Sequence, residues 1–384
     1  MYRMLLLIGL FVLVHLPPRD ASAQAQNTSA EQLFRQAQIE SHKQNYAQAE
    51  KLYRRVLAID PEVLAARVNL GLACYWQHKS REALTELQKA LHVSPKEFSA
   101  LLFSGLAYID LGEYDHARQA LEQAGQLNDR DPLLFWALGS LAMIHNDANA
   151  AVPPLERCAT LDPNNVRCVW LLGQAYALLA YRKEQKPRVP ADYPSRVDET
   201  LRWVEERQPN SALLHVFKGD VLTARNLTAE ALAEYQKALE IDPNWPDIHL
   251  LIGSLLGLLG RWEEAQNELK VQLRNHPEDT RAMVEMGSVQ CRAGNYEEAV
   301  PVLKQALARD RNNYEANYRL GQAYITLGQE ALAVPLLEHA TEINPEKSDP
   351  YYLLYRGYRV LKKPEKAAEA LEQFKRRKAP GPPA

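Results

Sequence analysis

The chain has 384 residues, 24% of them charged and 46% hydrophobic, with a formal net charge of -3. This balance excludes a strongly basic nucleic-acid binder and a disordered chain. The 17 Gly and 23 Pro are too few for a collagen-like or low-complexity protein. A prior of about 150 residues per domain suggests two or three domains.

The first segment reads as an address. Arg3 gives a positive start, and Leu5 to Leu16 is almost wholly apolar until Pro17 and Pro18 end it. Ala21-Ser22-Ala23 then has the small-x-small form read by a signal peptidase. Residues 1–23 are therefore expected to be a signal peptide cleaved before Gln24, with an uncleaved anchor as the alternative. As a helix the apolar run rises only about 18 Å, short of the ~30 Å hydrocarbon core. No later run is longer, so no integral membrane segment is expected after cleavage. Residues 24–29 read as a short linker. The expected location is exported, either periplasmic in a bacterial envelope or secreted.

The remainder repeats. Gly71, Gly105, Gly139 and Gly173 stand 34 residues apart, as do Gly219, Gly253, Gly287 and Gly321. The same period selects Ala49, Ala83, Ala117 and Ala151, then Ala231, Ala265, Ala299, Ala333 and Ala367. It also selects Pro61, Pro95, Pro163, Pro209, Pro243, Pro277 and Pro345. Each period reads as two amphipathic helices. Leu111-Gly112-x-Tyr114, Leu259-Gly260-x-Trp262 and Ala293-Gly294-x-Tyr296 form the turn between them, with Gly where a positive φ is needed. Proline closes the second helix, because it cannot donate a backbone hydrogen bond inside one. The ladder Gly and Ala are expected where the two helices cross.

This pattern resembles the tetratricopeptide repeat family over about Ala30 to Gly381. The register gives ten repeats across 30–381, with about twelve extra residues near 181–196 and a basic, Pro-ended tail at 375–384. The resemblance implies an all-α fold, an α-solenoid of helix-turn-helix repeats wound into a right-handed superhelix. Members of this family bind peptides or proteins on a concave wall made by the first helix of each repeat.

Carried onto the register, that wall gives Val68, Leu72, Tyr75, Trp76, Leu102, Leu106, Ile109, Leu133, Trp136, Met143, Ile144 and Trp170 in the second to fifth repeats. These side chains are apolar and aromatic. They form either a protein-binding groove or part of the core. Later repeats place Asp220, Asp247, Arg281, Arg292, Glu315, Tyr318, Arg356 and Arg359 there. Arg281, Arg292, Arg356 and Arg359 are candidates to grip acidic groups of a partner, or else are solvated helix surface. Some family members clamp a terminal carboxylate with Lys, Asn and Arg. Here Asn69 fits one position, but Phe34, Gln38, Ser99 and Phe103 occupy the others and supply no cation, so that clamp is rejected.

Little else suggests chemistry. The sequence has no His-Glu-x-x-His, no Gly-x-Gly-x-x-Gly and no phosphate loop, so no enzyme activity, metal or cofactor is expected. Cys74, Cys158, Cys168 and Cys291 form no Cys-x-x-Cys. Cys158 and Cys168 flank one inter-repeat turn, so adjacent antiparallel helices could join them as a disulfide, with two buried thiols as the alternative. The expected function is an exported scaffold or adaptor binding a partner protein or peptide, without nucleic acid. Alternatives are a self-assembling or membrane-tethered array and an accessory subunit of an enzyme complex.

Overall fold

The structure, a computed structural model, describes residues 21–181 and 192–378, and in residues 21–28 the backbone alone. Most of the expected signal peptide, the middle of the insertion and the end of the tail lie outside the described residues. Among the described residues there are twenty α-helices and no strand. The chain divides into two compact units, Met1–Pro209 and Asn210–Ala384.

The first unit holds α1 (Ala21–His42), α2 (Tyr46–Ile59), α3 (Leu64–Trp76), α4 (Ser80–Val93), α5 (Phe98–Leu111), α6 (Tyr114–Leu127), α7 (Pro132–Ile144), α8 (Ala148–Leu161), α9 (Val166–Ala180) and α10 (Tyr193–Arg207). The second holds α11 (Ala212–Ala224), α12 (Thr228–Ile241), α13 (Ile248–Leu258), α14 (Trp262–Asn275), α15 (Thr280–Ala293), α16 (Tyr296–Arg309), α17 (Tyr314–Thr326), α18 (Glu330–Ile343), α19 (Asp349–Val360) and α20 (Pro364–Lys378). Odd- and even-numbered helices pair as hairpins, and each even helix packs on the next hairpin of its unit. The result in each unit is an α-solenoid stack of five hairpins.

Two boundaries differ from the sequence reading. Residues 24–29, read as a linker, continue α1; the Ala-Gln-Ala-Gln run contains neither Pro nor Gly to stop a helix. Tyr193–Arg196, read as insertion, begin α10, and Pro194 is tolerated because first-turn amides need no intrahelical partner.

The hairpins close where the ladder Gly meets the second helix. A Cβ on Gly105 would stand 2.6 Å from Cγ and Cδ2 of Leu121, and one on Gly71 would stand 2.6 Å from the same atoms of Leu87. Leu87, Leu121, Leu155, Leu269, Leu303 and Leu337 are each 0% exposed, and each lies opposite one of these glycines. Tyr235 takes this place opposite Gly219, and its hydroxyl donates to Asp220 Oδ1 at 2.7 Å. Burying each such side chain contributes about 1.5–3 kcal/mol.

The turn inside each hairpin also keeps the period. Gly112, Gly260, Gly294 and Gly328 have φ of 72–88°, as required of a left-handed helix end. Gln44, His78, Asn146, Asn226 and Lys362 take the same place with φ of 55–62°. Local preference did not mark Gln44, His78 or Lys362 as turn residues; tertiary packing imposes the conformation there.

Replacing the hydrogen of a ladder glycine should separate the helices. Gly105→Val is expected to cost about 1–3 kcal/mol in urea unfolding, and an unchanged midpoint would contradict this account of the crossing.

Candidate partner-binding walls

Within each unit the first helices lie side by side: α3, α5, α7 and α9 in one, α13, α15, α17 and α19 in the other. Their shared face is the candidate site. Lateral packing decides which side chains remain available on it.

In the first unit most of the wall is covered. Val68, Leu72, Tyr75, Leu102, Leu106, Trp136 and Trp170 are 1–7% exposed. These seven side chains are packed as core, so as placed they offer no surface to a partner. Trp76, Ile109, Leu133 and Met143 are half-buried and Ile144 is exposed. The physical reason is the closeness of neighbouring first helices. Tyr75 on α3 meets Phe103 on α5 edge-on at 5.4 Å, and Trp76 meets Phe103 at 6.0 Å while stacking on Tyr46 of α2 at 6.0 Å. Arg167, at the start of α9, escaped the sequence reading. Burial pulls its guanidinium below its usual pKa, and the Tyr75 hydroxyl acts in the opposite sense. Its register position is that of Arg281 and Glu315, which is the signal that could have found it.

The second unit's wall is polar, and its charges are partly spent on each other. Arg281 Nη2 lies 2.9 Å from Oδ2 of Asp247, which precedes α13, and its Nε lies 3.5 Å from Asp279. Arg319, mostly covered, donates to Glu315 at 2.7 Å and Gln322 at 3.0 Å and lies 4.9 Å over the Tyr318 ring. Tyr314 stacks on Tyr318 at 6.1 Å. Burial pushes the Glu285 carboxyl above the usual carboxylate range; Arg292 opposes this, Glu315 adds to it and Arg319 opposes it. Burial likewise raises the Tyr314 and Tyr318 hydroxyls. Arg292, Arg356 and Arg359 are exposed. Arg359 donates to the Tyr355 hydroxyl at 3.2 Å with its guanidinium 5.6 Å over that ring. The tyrosines and Arg319 were not selected from the sequence, apart from Tyr318.

Cys158 on α8 and Cys168 on α9 have Cα atoms 5.9 Å apart, their sulfurs in disulfide contact, and both are 0% exposed. Cys74 and Cys291 are buried thiols, each pushed up to about 11 chiefly by burial. Cys74 lies with Glu50 and Glu82 close enough to suggest a metal site. The donor chemistry argues otherwise. Glu50 is bound by Arg54 and Lys79, each at 2.7 Å, and Glu82 by Arg54 at 3.0 Å. Cations already neutralise both carboxylates, and the thiol is not a ready thiolate.

These hairpins and their ladders match known repeats. Models described as tetratricopeptide or TPR repeat match residues 34–80, 77–132, 219–260 and 292–356, together more than half of the chain. The chain belongs to the tetratricopeptide repeat family. It is 26% identical over 151 residues to anaphase-promoting complex subunit 6 of Arabidopsis thaliana, covering 39% of this chain and 28% of that protein. It is 31% identical over 111 residues to the TPR repeat-containing thioredoxin TTL4 of the same plant, covering 29% and 16%. It is 22% identical over 152 residues to BBSome complex member BBS4 of Bos taurus, covering 39% and 29%. The chain thus spans under a third of the length of these relatives. Among solved structures, the thermophilic TPR protein TTC0263 of Thermus thermophilus aligns with TM-score 0.45 at 24% identity, covering 51% of this chain and 100% of that one.

Two measurements probe these geometries. Because its folded pKa is raised, Glu285 favours the fold when protonated, and this stability is lost as pH rises from its unfolded value of 4.5 through the folded one. Glu285→Gln should therefore stabilise the protein at pH 7 and have no effect at pH 4 or below; a neutral or destabilising change at pH 7 would reject the assignment. Changing both Cys158 and Cys168 to Ser should cost about 2–4 kcal/mol in urea unfolding. Free thiols that alkylate at both positions in unfolded, unreduced protein would show that no bridge joins them.

Proposed function

We propose that this chain is an exported, non-catalytic scaffold that holds a partner protein or peptide against its first-helix walls. The observation that carries the reading is the polar and aromatic wall of the second unit, where Tyr318, Tyr355, Arg356 and Arg359 lie on adjacent first helices at the surface or half-covered. Aromatic and Arg side chains are the residue types most enriched in binding hot spots. In the first unit the half-covered Trp76, Ile109 and Met143, with exposed Ile144, extend the apolar contact. Two of the relatives are by name members of multi-protein complexes, the anaphase-promoting complex and the BBSome. That supports an assembly role rather than catalysis.

Export is supported by the Arg3 and Leu5–Leu16 pattern, the Ala21-Ser22-Ala23 site and the paired cysteines. No described helix is long and apolar enough to cross a membrane. A second reading, self-association, is favoured by Ile59, Val93 and Leu127. They are 38%, 59% and 41% exposed and one repeat apart on successive second helices.

The test is crosslinking and affinity recovery of the protein from its own cell envelope. Ile109→Glu with Met143→Glu, or Arg356→Glu with Arg359→Glu, should each lower partner recovery without loss of helicity. Recovery unchanged by both would reject the walls as the site. Recovered protein should begin at Gln24; an intact Met1 confined to the cytosol would reject export.

A further inference from the structure

Among the described residues, the last first helix of the second unit's wall is α19, which carries a stripe unlike those before it. Tyr352, Tyr355, Arg356, Arg359 and Val360 follow helical spacing on one face. Tyr352 is 43% and Val360 60% exposed, Arg356 and Arg359 are exposed, and Tyr355 is half-buried. One period earlier, α17 has Tyr318, Gly321, Gln322, Ile325 and Thr326. There α19 lies alongside and Ile325 is buried against it, Tyr318 and Gln322 are half-covered, and Gly321 is buried against Leu337 of α18. Among the described residues no first helix lies on the far side of α19.

Charge separates this stripe from the rest of the wall. Arg281 already holds two carboxylates, and Arg319 holds Glu315. Arg356 has Gln322, not an acid, one period before it, and Lys362 and Lys363 follow in the exposed turn. Residues 349–378 carry nine basic and four acidic side chains, in a chain whose formal net charge is -3. Arg359 is laid on Tyr355, and the Tyr352 ring is held by Tyr355 at 6.3 Å and Phe374 at 5.2 Å. Such groups lose little freedom on binding. A guanidinium with one donor used on a hydroxyl keeps four for a carboxylate.

We propose that the α19 stripe binds an acidic protein segment in which carboxylates alternate with aromatic or aliphatic side chains. The carboxylates pair with Arg356 and Arg359, and the apolar groups cover Tyr352 and Val360. A broad anionic membrane fits less well, because the other cations are held apart. Arg377 donates to the Pro345 carbonyl and lies 4.4 Å over Tyr351, fixing Lys375–Lys378 beside the opposite end of α19. From Tyr351 to Arg356 and Arg359 the helix rises about 8–12 Å. Glu365, Glu369 and Glu372 intervene along α20.

The inference rests on the partner-binding reading, and the test separates the two. A fluorescein-labelled eight-residue peptide alternating Asp and Phe is titrated into the full chain at 50 and 300 mM salt, beside a Lys-for-Asp control. The acidic peptide should bind, weaken with salt, and lose at least tenfold in affinity with Arg356→Glu and Arg359→Glu together. Tyr352→Ala should weaken it further, and Arg281→Glu should not. Equal binding of the Lys peptide, or indifference to the Arg356 and Arg359 changes, overturns the proposal. So does binding only to phosphatidylserine vesicles, or an α19 stripe shown by light scattering to close a dimer. If the envelope partner is still recovered by the Arg356 and Arg359 variant, the stripe is wrong and the scaffold reading stands.

Discussion

The stacking in each unit depends on how closely two helices approach at each hairpin crossing. A glycine on the first helix leaves space that a leucine of the second fills, and Leu87, Leu121, Leu303 and Leu337 are fully buried as a result. Packing at this density tolerates no added carbon without movement. The crossing therefore fixes the hairpin, and the shared period makes successive hairpins alike. Like hairpins stack with their first helices adjacent, so the wall in each unit follows from the glycine ladder.

Adjacency of first helices has a second consequence. Residues 34 apart in sequence become neighbours across the wall. Asp247 and Arg281 are such a pair at 2.9 Å. Glu285 and Arg319 are another, near enough that Arg319 draws the Glu285 carboxyl down against the larger effect of burial. In the first unit the neighbours are apolar, and the same geometry seals Leu72, Leu106 and Trp136 into the interior. The wall thus consumes much of its own chemistry. Opposite charges one period apart neutralise each other, and apolar side chains cover each other.

This explains what the sequence disclosed and what it did not. The period, the helix pairs and the turns at Gly112, Gly260 and Gly294 were legible, because each has a local cause in glycine or proline. The turns at Gln44, His78 and Lys362 were not, since those residues take positive φ only under tertiary constraint. The wall residues fell on the first helices as the register required, but their exposure did not follow. Trp136 and Trp170 could be read as groove or as core, and they are 7% exposed. Exposure belongs to the pair of neighbouring helices, and no single repeat carries that information. Likewise Arg281 and Arg356 look alike along the chain. They differ because Asp247 precedes one by a period and Gln322 the other.

A scaffold of this design gains specificity where the period breaks. A fully self-paired wall would present little that a partner could bind better than water, since each paired charge must first be released from its neighbour. Binding energy comes from positions whose neighbour one repeat away cannot satisfy them. The proposed stripe places Arg356 beside Gln322 and Val360 beside Thr326 among such positions. On that proposal, substitutions at such positions change recognition with little effect on folding. Substitutions at the glycine ladder change folding first and recognition only through it. The two halves of the design, a repeated crossing geometry within the chain and an irregular wall upon it, allow one architecture to hold different partners.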